Sequence, residues 1–245
     1  MAADPRRVLT RNRMGWASER LSPLTTLFVE FCASGFCGES SPALDVGAAY
    51  GAASLAALET GASVIANDLD AGHLETLRHC VPEDQRPRLT LIPARFPRGL
   101  DFEDGTLGAV HASSVFHFLT GHQIQQGLCA VSRWLRPGGK LFVQAATPYQ
   151  APFAAFIPEY ERRLVSREKW PGWIEKLSVY STHKQLSQMP RSIHLLDDRM
   201  LRTLAEAVGL EVERVWLYQR EDLPANLRLD GRESVGLVAR KGIPG

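Results

Sequence analysis

The chain has 245 residues, 44% of them hydrophobic and 22% charged, and its 28 Lys and Arg nearly cancel 27 Asp and Glu to leave a net charge of +1. That is the composition of a globular protein able to bury a sizeable core, and the even balance argues against a surface built for nucleic acid or an acidic membrane. The four cysteines, Cys32, Cys37, Cys80 and Cys129, form no C-x-x-C pair and signal neither a zinc site nor a disulfide framework.

No apolar run reaches the roughly 20 residues of a membrane span, and the basic start "DPRRVLTRNR" leads into polar sequence rather than a secretory apolar stretch. The expectation is one cytoplasmic domain over residues 1–245 that holds no metal and binds neither nucleic acid nor membrane.

In chain order, a cap over residues 1–40 comes first, with Arg13 and Trp16 ahead of a helix that begins near Ser22. "PALDV" then reads as a buried strand and "YGAASLAALETG" as a helix stopped by Gly61. "SVIAND", "RLTLIPA" and "LGAVHASSV" read as further strands, with the helix "AGHLETLRHCV" between the first and second of them. The helix "HQIQQGLCAVSRWL" is joined to the strand "KLFVQAA" by "RPGG". Strands alternating with helices predict a mostly parallel sheet covered on both faces.

Residues 147–195 interrupt the alternation. "PFAAFIPEYERRLVSREKW" and "PGWIEKLSVY" suggest a two-helix lid with aromatic faces, inserted where ligands bind in open α/β sheets. The capped helix "DDRMLRTLAEAVGL" and two extended runs, "EVERVWLYQ" and "ESVGLVARK", close the chain as an antiparallel pair.

The first strand runs into the turn "LDVGAAYGAAS", and an acid, Asp68, follows about 20 residues beyond Gly47. This is the geometry that places a ligand on backbone amides and a ribose diol on a carboxylate. A dinucleotide needs glycine at the middle of G-x-G-x-x-G, where this chain has Ala49. Gly51 instead fits G-x-G-x-G, so a phosphate-free nucleoside suits the turn better.

"ALDVGAAYGAAS", "VIANDLD", "LDFEDGTLGAVHASSVFHFL", "WLRPGGKLFV" and "HLLDDRMLRTLAEAVGLEVERVWLY" together resemble the class I S-adenosylmethionine-dependent methyltransferases, in that family's order. The resemblance implies a Rossmann-like, doubly wound α/β fold with a seven-stranded sheet, mostly parallel with an antiparallel last strand, plus the helical lid insertion. It implies S-adenosyl-L-methionine as cofactor, with S-adenosyl-L-homocysteine as product, and a small-molecule acceptor attacking through O, N or C by in-line displacement. By the same resemblance Gly47, Ala48, Ala49 and Gly51 line the methionine and ribose side with Asp45 beneath. Asp68 takes the ribose hydroxyls, Leu69 packs on adenine, and Ser113 and Ser114 touch the cofactor through backbone.

After the third strand the family often has Gly-Asp-Ala, whose acid meets the adenine amino group, but this chain reads "PARFPRG". Adenine recognition then falls to backbone groups, to Arg95 or to stacking on Phe96, unless Phe96 belongs to the core. His117 in "SSVFHFL" is the candidate general base, with packing as its alternative role; His111 reads as a core histidine. Tyr149, Phe153, Tyr180 and His183 are the candidate acceptor contacts, and Phe156, Tyr160, Trp170 and Trp173 either wall that pocket or pack the lid. Acceptors in other classes, protein or RNA, and a catalytically silent nucleoside-binding relative are the alternatives.

Overall fold

The computed structural model describes residues 7–11, 16–18, 20–181 and 191–243. Seven strands form the sheet: β1 (Ala43–Val46), β2 (Val64–Asp68), β3 (Leu89–Pro93), β4 (Leu107–Ser113), β5 (Leu135–Ala146), β6 (Leu210–Tyr218) and β7 (Ser234–Lys241). Their spatial order is β6-β7-β5-β4-β1-β2-β3. β1 through β5 pair in parallel, and β7 lies antiparallel between β5 and β6. This is the Rossmann-like α/β sheet with a reversed last strand.

β1 and β2 are buried at every position, as expected of parallel strands covered on both faces. One face packs on α1 (Pro23–Phe31), α2 (Ala52–Glu59) and α3 (Ala71–Cys80), through Leu24, Phe28, Leu58, Leu74 and Leu77. The other packs on α4 (Gly121–Trp134) and α6 (Asp198–Glu206), through Ile124, Leu128, Val131 and Leu201. Capping side chains set the starts of these helices. Ser22 caps α1, Asp70 caps α3, and Thr120 forms a reciprocal box with Gln123 on α4, each satisfying amides that would otherwise lack partners.

Two local expectations change. "RPGG" is not a free connection, because β5 already begins at Leu135 and passes through a register irregularity with Gly138 at φ +79°. The lid carries one regular helix, α5 (Ile157–Val165), after a short 3-10 turn at Ala151–Phe156. In place of the expected second helix, Trp173–Ile174 pairs antiparallel with Ile193–His194. Pro171 breaks helical hydrogen bonding, and Gly172 lies so close to Leu195 that a Cβ would sit 1.7 Å from its carbonyl oxygen. The N-terminal segment also forms a strand pair, Arg7–Leu9 with Trp16–Ser18.

Candidate active site

The carboxyl ends of β1, β2 and β4 are neighbours, so Gly47–Gly51, Asp68–Leu69 and Ser113–Ser114 converge on one edge of the sheet. The glycine turn is fixed by the acid expected there. The Ala49 amide donates to Asp68 Oδ2 at 2.9 Å, and Oδ1 accepts from the Asp70 amide at 2.8 Å and lies 3.1 Å from His73 Nδ1. Ala49 adopts φ +48° and Gly51 φ +87°, left-handed conformations that are costly for an L-residue and free for glycine. Ala49 therefore carries local strain, anchored by its charge-assisted bond to Asp68.

Glycine at position 51 is also required by the packing of the fold. A Cβ there would meet Leu77 Cδ1 at 2.2 Å, so glycine at this place lets α3 pack against the turn. At Gly47 the obstructing atom would be Val115 Cγ2, 2.5 Å away, on the loop after β4. Ala48 is buried and its amide donates to Asn67 O.

Asp45, beneath the turn, is 2% exposed. Its Oδ2 accepts the Ser54 hydroxyl at 2.6 Å and its Oδ1 lies 2.8 Å from His111 Nδ1. His111 Nε2 in turn lies 3.1 Å from the Thr25 hydroxyl, and the ring stacks on Phe28. The buried polar groups are paired, as stability requires, and α1, α2, β1 and β4 are tied together under the site. His111 is a core histidine, as its place in the strand suggests.

At the edge that the family resemblance assigns to adenine, Leu69 is 46% exposed, a large apolar side chain next to the buried Asp68. The Arg95 side chain is exposed. Phe96 is corrected to a core residue: it is 6% exposed, stacks near Phe116 at 6.4 Å, and fills the space over Gly127, where a Cβ would come within 2.5 Å of its ring. The proline after it and the apolar helix face opposite turn the ring inward. Asn67 pins the neighbouring loop by donating to the Ile92 and Ala94 carbonyls.

Ser114 belongs to a polar group whose other members sequence reasoning missed. Ser114, at φ +59°, takes a hydrogen bond from the Gln144 side chain at 3.2 Å, and the Tyr218 hydroxyl donates to Gln144 Oε1. Burial pushes the Tyr218 phenol up to about 12. Beyond it Arg220 forms a two-point ion pair with Asp222, at 2.7 and 2.6 Å. Burial opposes the Arg220 charge, but Asp222 more than offsets this. A glutamine within the apolar run "LFVQAA" was the available signal, since a polar residue inside a buried strand needs a partner.

His117 sits beside this group with Nδ1 sealed from water and without a hydrogen-bond partner, although the residue as a whole is partly exposed. Burial, reinforced by the Arg220 cation, holds its imidazole down at about 4. The ring is neutral at neutral pH and can accept a hydrogen bond.

The lid aromatics are largely committed to one another. Tyr149 is 2% exposed and its hydroxyl donates to Glu161 at 2.9 Å while accepting from Arg199 at 3.0 Å. Phe153 is 1% exposed and packs with Phe156 and Tyr160. These two residues are corrected from acceptor contacts to lid core, because a lid must bury its own apolar face to hold shape. Tyr180 is half-buried, edge-on to Phe156 at 4.9 Å. His183 lies outside the described residues. The lid is anchored to the site loop by His194 Nδ1, 3.3 Å from Leu119 O, and by Trp170, which occupies the space over Gly121.

Residues 44–143 match a family model described as a methyltransferase domain. No curated protein matches the sequence significantly. Among solved structures, an S-adenosylmethionine-dependent methyltransferase from Methanosarcina mazei superposes with a TM-score of 0.64 at 14% identity, covering 91% of this chain and 99% of that one. The Burkholderia thailandensis 1,6-didemethyltoxoflavin-N1-methyltransferase, with 1,6-didemethyltoxoflavin and S-adenosylhomocysteine bound, gives 0.57 at 15% identity over 90% and 79%. A Haloferax volcanii methyltransferase in complex with the Trm112 methyltransferase activator gives 0.60 at 16% identity over 88% and 90%. No helix among the described residues is long and apolar enough to cross a membrane. Residues 44–143 thus match a methyltransferase domain, and the seven-stranded sheet with its reversed last strand has the fold of the S-adenosylmethionine-dependent methyltransferases on which it superposes.

Proposed function

We propose that this methyltransferase acts in the cytoplasm on a small molecule, moving the methyl group of S-adenosylmethionine to an oxygen, nitrogen or carbon by in-line displacement. The sulfonium methyl is already activated, so the protein's chief task is to hold a desolvated nucleophile in line with the departing sulfur, which can supply several kcal/mol of the barrier. Gly47, Ala48, Ala49 and Gly51 would carry the methionine and ribose side, Asp68 the ribose hydroxyls and Leu69 one face of adenine. Arg95, exposed at the end of β3, is the candidate for the adenine edge in place of the family's acid, and Ser113 and Ser114 would meet the cofactor through backbone.

The observation that supports the small-molecule reading is the segment after β5. Its described residues have an apolar core of their own and are pinned to the 116–121 loop by His194 and Trp170, an arrangement that would suit an enclosed pocket with a few polar groups. Gln144, Tyr218 and the neutral His117 would supply the polar groups. The residues 1–40 would cap the cofactor side of the same single domain.

The test is incubation of the purified chain and radiolabelled methyl donor with cell extract, followed by separation into protein, RNA and small-molecule fractions. Label in the small-molecule fraction is expected. Label in a protein or RNA band would overturn the reading, as would tight S-adenosylhomocysteine binding with no labelled product in any fraction.

A further inference from the structure

We infer that His73 is a positioning residue of the cofactor site, holding the Asp68 carboxylate with one ring nitrogen and the N-terminal strand pair with the other. This rests on the reading of Asp68 as the ribose carboxylate. His73 is 1% exposed, at the first turn of α3. Its Nδ1 lies 3.1 Å from Asp68 Oδ1, and its Nε2 receives the backbone N–H of Arg11 at 3.1 Å. The same Arg11 N–H reaches the Tyr50 hydroxyl at 3.0 Å. Tyr50 belongs to the glycine turn, so the Arg11 backbone crosses from that turn to α3, along the rim that Asp68 defines.

The two partners specify one state of the ring. An ionised carboxylate only accepts, so Nδ1 must carry the proton; a backbone N–H only donates, so Nε2 must offer its lone pair. The strand pair is therefore held by the neutral ring and not by the imidazolium. Among the described residues, the charged and titratable groups facing the ring are Asp68 at the end of β2 and Asp70 at the cap of α3, whose Oδ2 is 3.9 Å from Nε2. They also include the Tyr50 phenol, edge-on at 5.0 Å, and the Arg11 guanidinium, which borders Gly72.

The test uses the full chain at a single pH near 8, S-adenosylhomocysteine binding by calorimetry, and trypsin cleavage after Arg11 read by mass spectrometry. His73→Asn places an amide near Nδ1, keeps a donor for Asp68 and removes the acceptor for Arg11. It is expected to be cut faster than the wild type while binding S-adenosylhomocysteine with wild-type affinity. His73→Gln reaches the place of Nε2 and keeps the acceptor but not the donor. It is expected to be cut at the wild-type rate while binding S-adenosylhomocysteine more weakly by about tenfold or more, the loss of one hydrogen bond to a charged group.

A His73→Asn protein cut no faster than the wild type, or a His73→Gln protein that binds S-adenosylhomocysteine with wild-type affinity, would overturn the inference, and either variant decides it if the other fails to fold. Absence of S-adenosylhomocysteine binding by the wild type would instead overturn the cofactor reading beneath it.

Discussion

His111 on β4 and Asp45 on β1 face each other across adjacent strands, Nδ1 2.8 Å from Oδ1, both about 2% exposed. The remaining Asp45 oxygen takes Ser54 and the remaining His111 nitrogen meets Thr25, so the pair is closed at both ends. Removing one partner leaves a buried carboxylate short of a hydrogen bond, which typically costs 3–5 kcal/mol, or about that order, whereas apolar replacement of both partners is cheaper. His111→Leu is expected to lower unfolding free energy by about 3 kcal/mol or more in urea titrations, and His111→Leu with Asp45→Leu to lose less than the sum of the single changes. Strict additivity would show that the two side chains are not coupled.

Asp68 organises the turn, and the proposed function also gives it the ribose hydroxyls. With the Ala49 and Asp70 amides and His73 already on its oxygens, Asp68→Ala is expected to weaken S-adenosylhomocysteine binding by about 1.5–3 kcal/mol per charged hydrogen bond lost. It is also expected to lower the melting temperature, since Ala49 would keep its strained φ of +48° without the anchor. Calorimetry and thermal melts on the same samples separate the effects. Unchanged affinity in a folded variant would remove Asp68 from the ribose.

Most of the fold was legible in the sequence because buried parallel strands read as unbroken apolar runs and two helices show their starts: Ser22 and Asp197 cap where the helices were expected to begin. What was not legible depends on contacts distant in sequence. "PGWIEKLSVY" has helical spacing, but Gly172 packs against Leu195 and the segment pairs as a strand. Phe96 looked available for stacking because nothing nearby in the chain reveals that Gly127 leaves a hole for its ring. Tyr218 and Gln144 are 74 residues apart and meet only because the Tyr218 side chain on β6 reaches across β7 to β5.

Gly51 illustrates the same point with a measurable consequence. Its φ of +87° and the 2.2 Å approach to Leu77 predict damage to the fold from any side chain, in contrast to a clash confined to bound cofactor. Gly51→Ala is expected to cost about 1–3 kcal/mol, from left-handed strain and overpacking together. Adding Leu77→Ala should recover the overpacking part, so the double variant should be less destabilised than the two changes summed. A Gly51→Ala protein with wild-type stability would mean that α3 yields without cost.

Phe96 gives a test of the adenine edge. If its ring is core, Phe96→Ala should cost about 3–5 kcal/mol of stability, as large buried aromatics do, and leave S-adenosylhomocysteine affinity at the wild-type level in the folded fraction. Arg95→Ala should show the opposite pattern, with little change in stability because the side chain is exposed and weaker binding if it meets adenine. Equal affinity for both variants would leave recognition to the backbone held by Asn67.

The lid's anchor makes stability depend on pH. His194 is fully buried between Trp170 and Trp173, and burial holds its imidazole down at about 4, against 6.5 for the free side chain. The unfolded chain therefore binds a proton as the pH falls through 6.5 while the folded chain resists until about 4. Stability is intact above the unfolded value and declines across that window, since the unfolded state binds more protons there. At 1.36 kcal/mol per pKa unit the decline attributable to this residue is about 3 kcal/mol. His194→Leu keeps the apolar contact with the tryptophans and removes the titrating group. It should lose some stability at pH 7.5 through the missing bond to Leu119 O, and should show a shallower fall between pH 6.5 and pH 4.5 than the wild type. Urea titrations at several pH values read this directly, and parallel curves for the two proteins would show that His194 is not the group responsible.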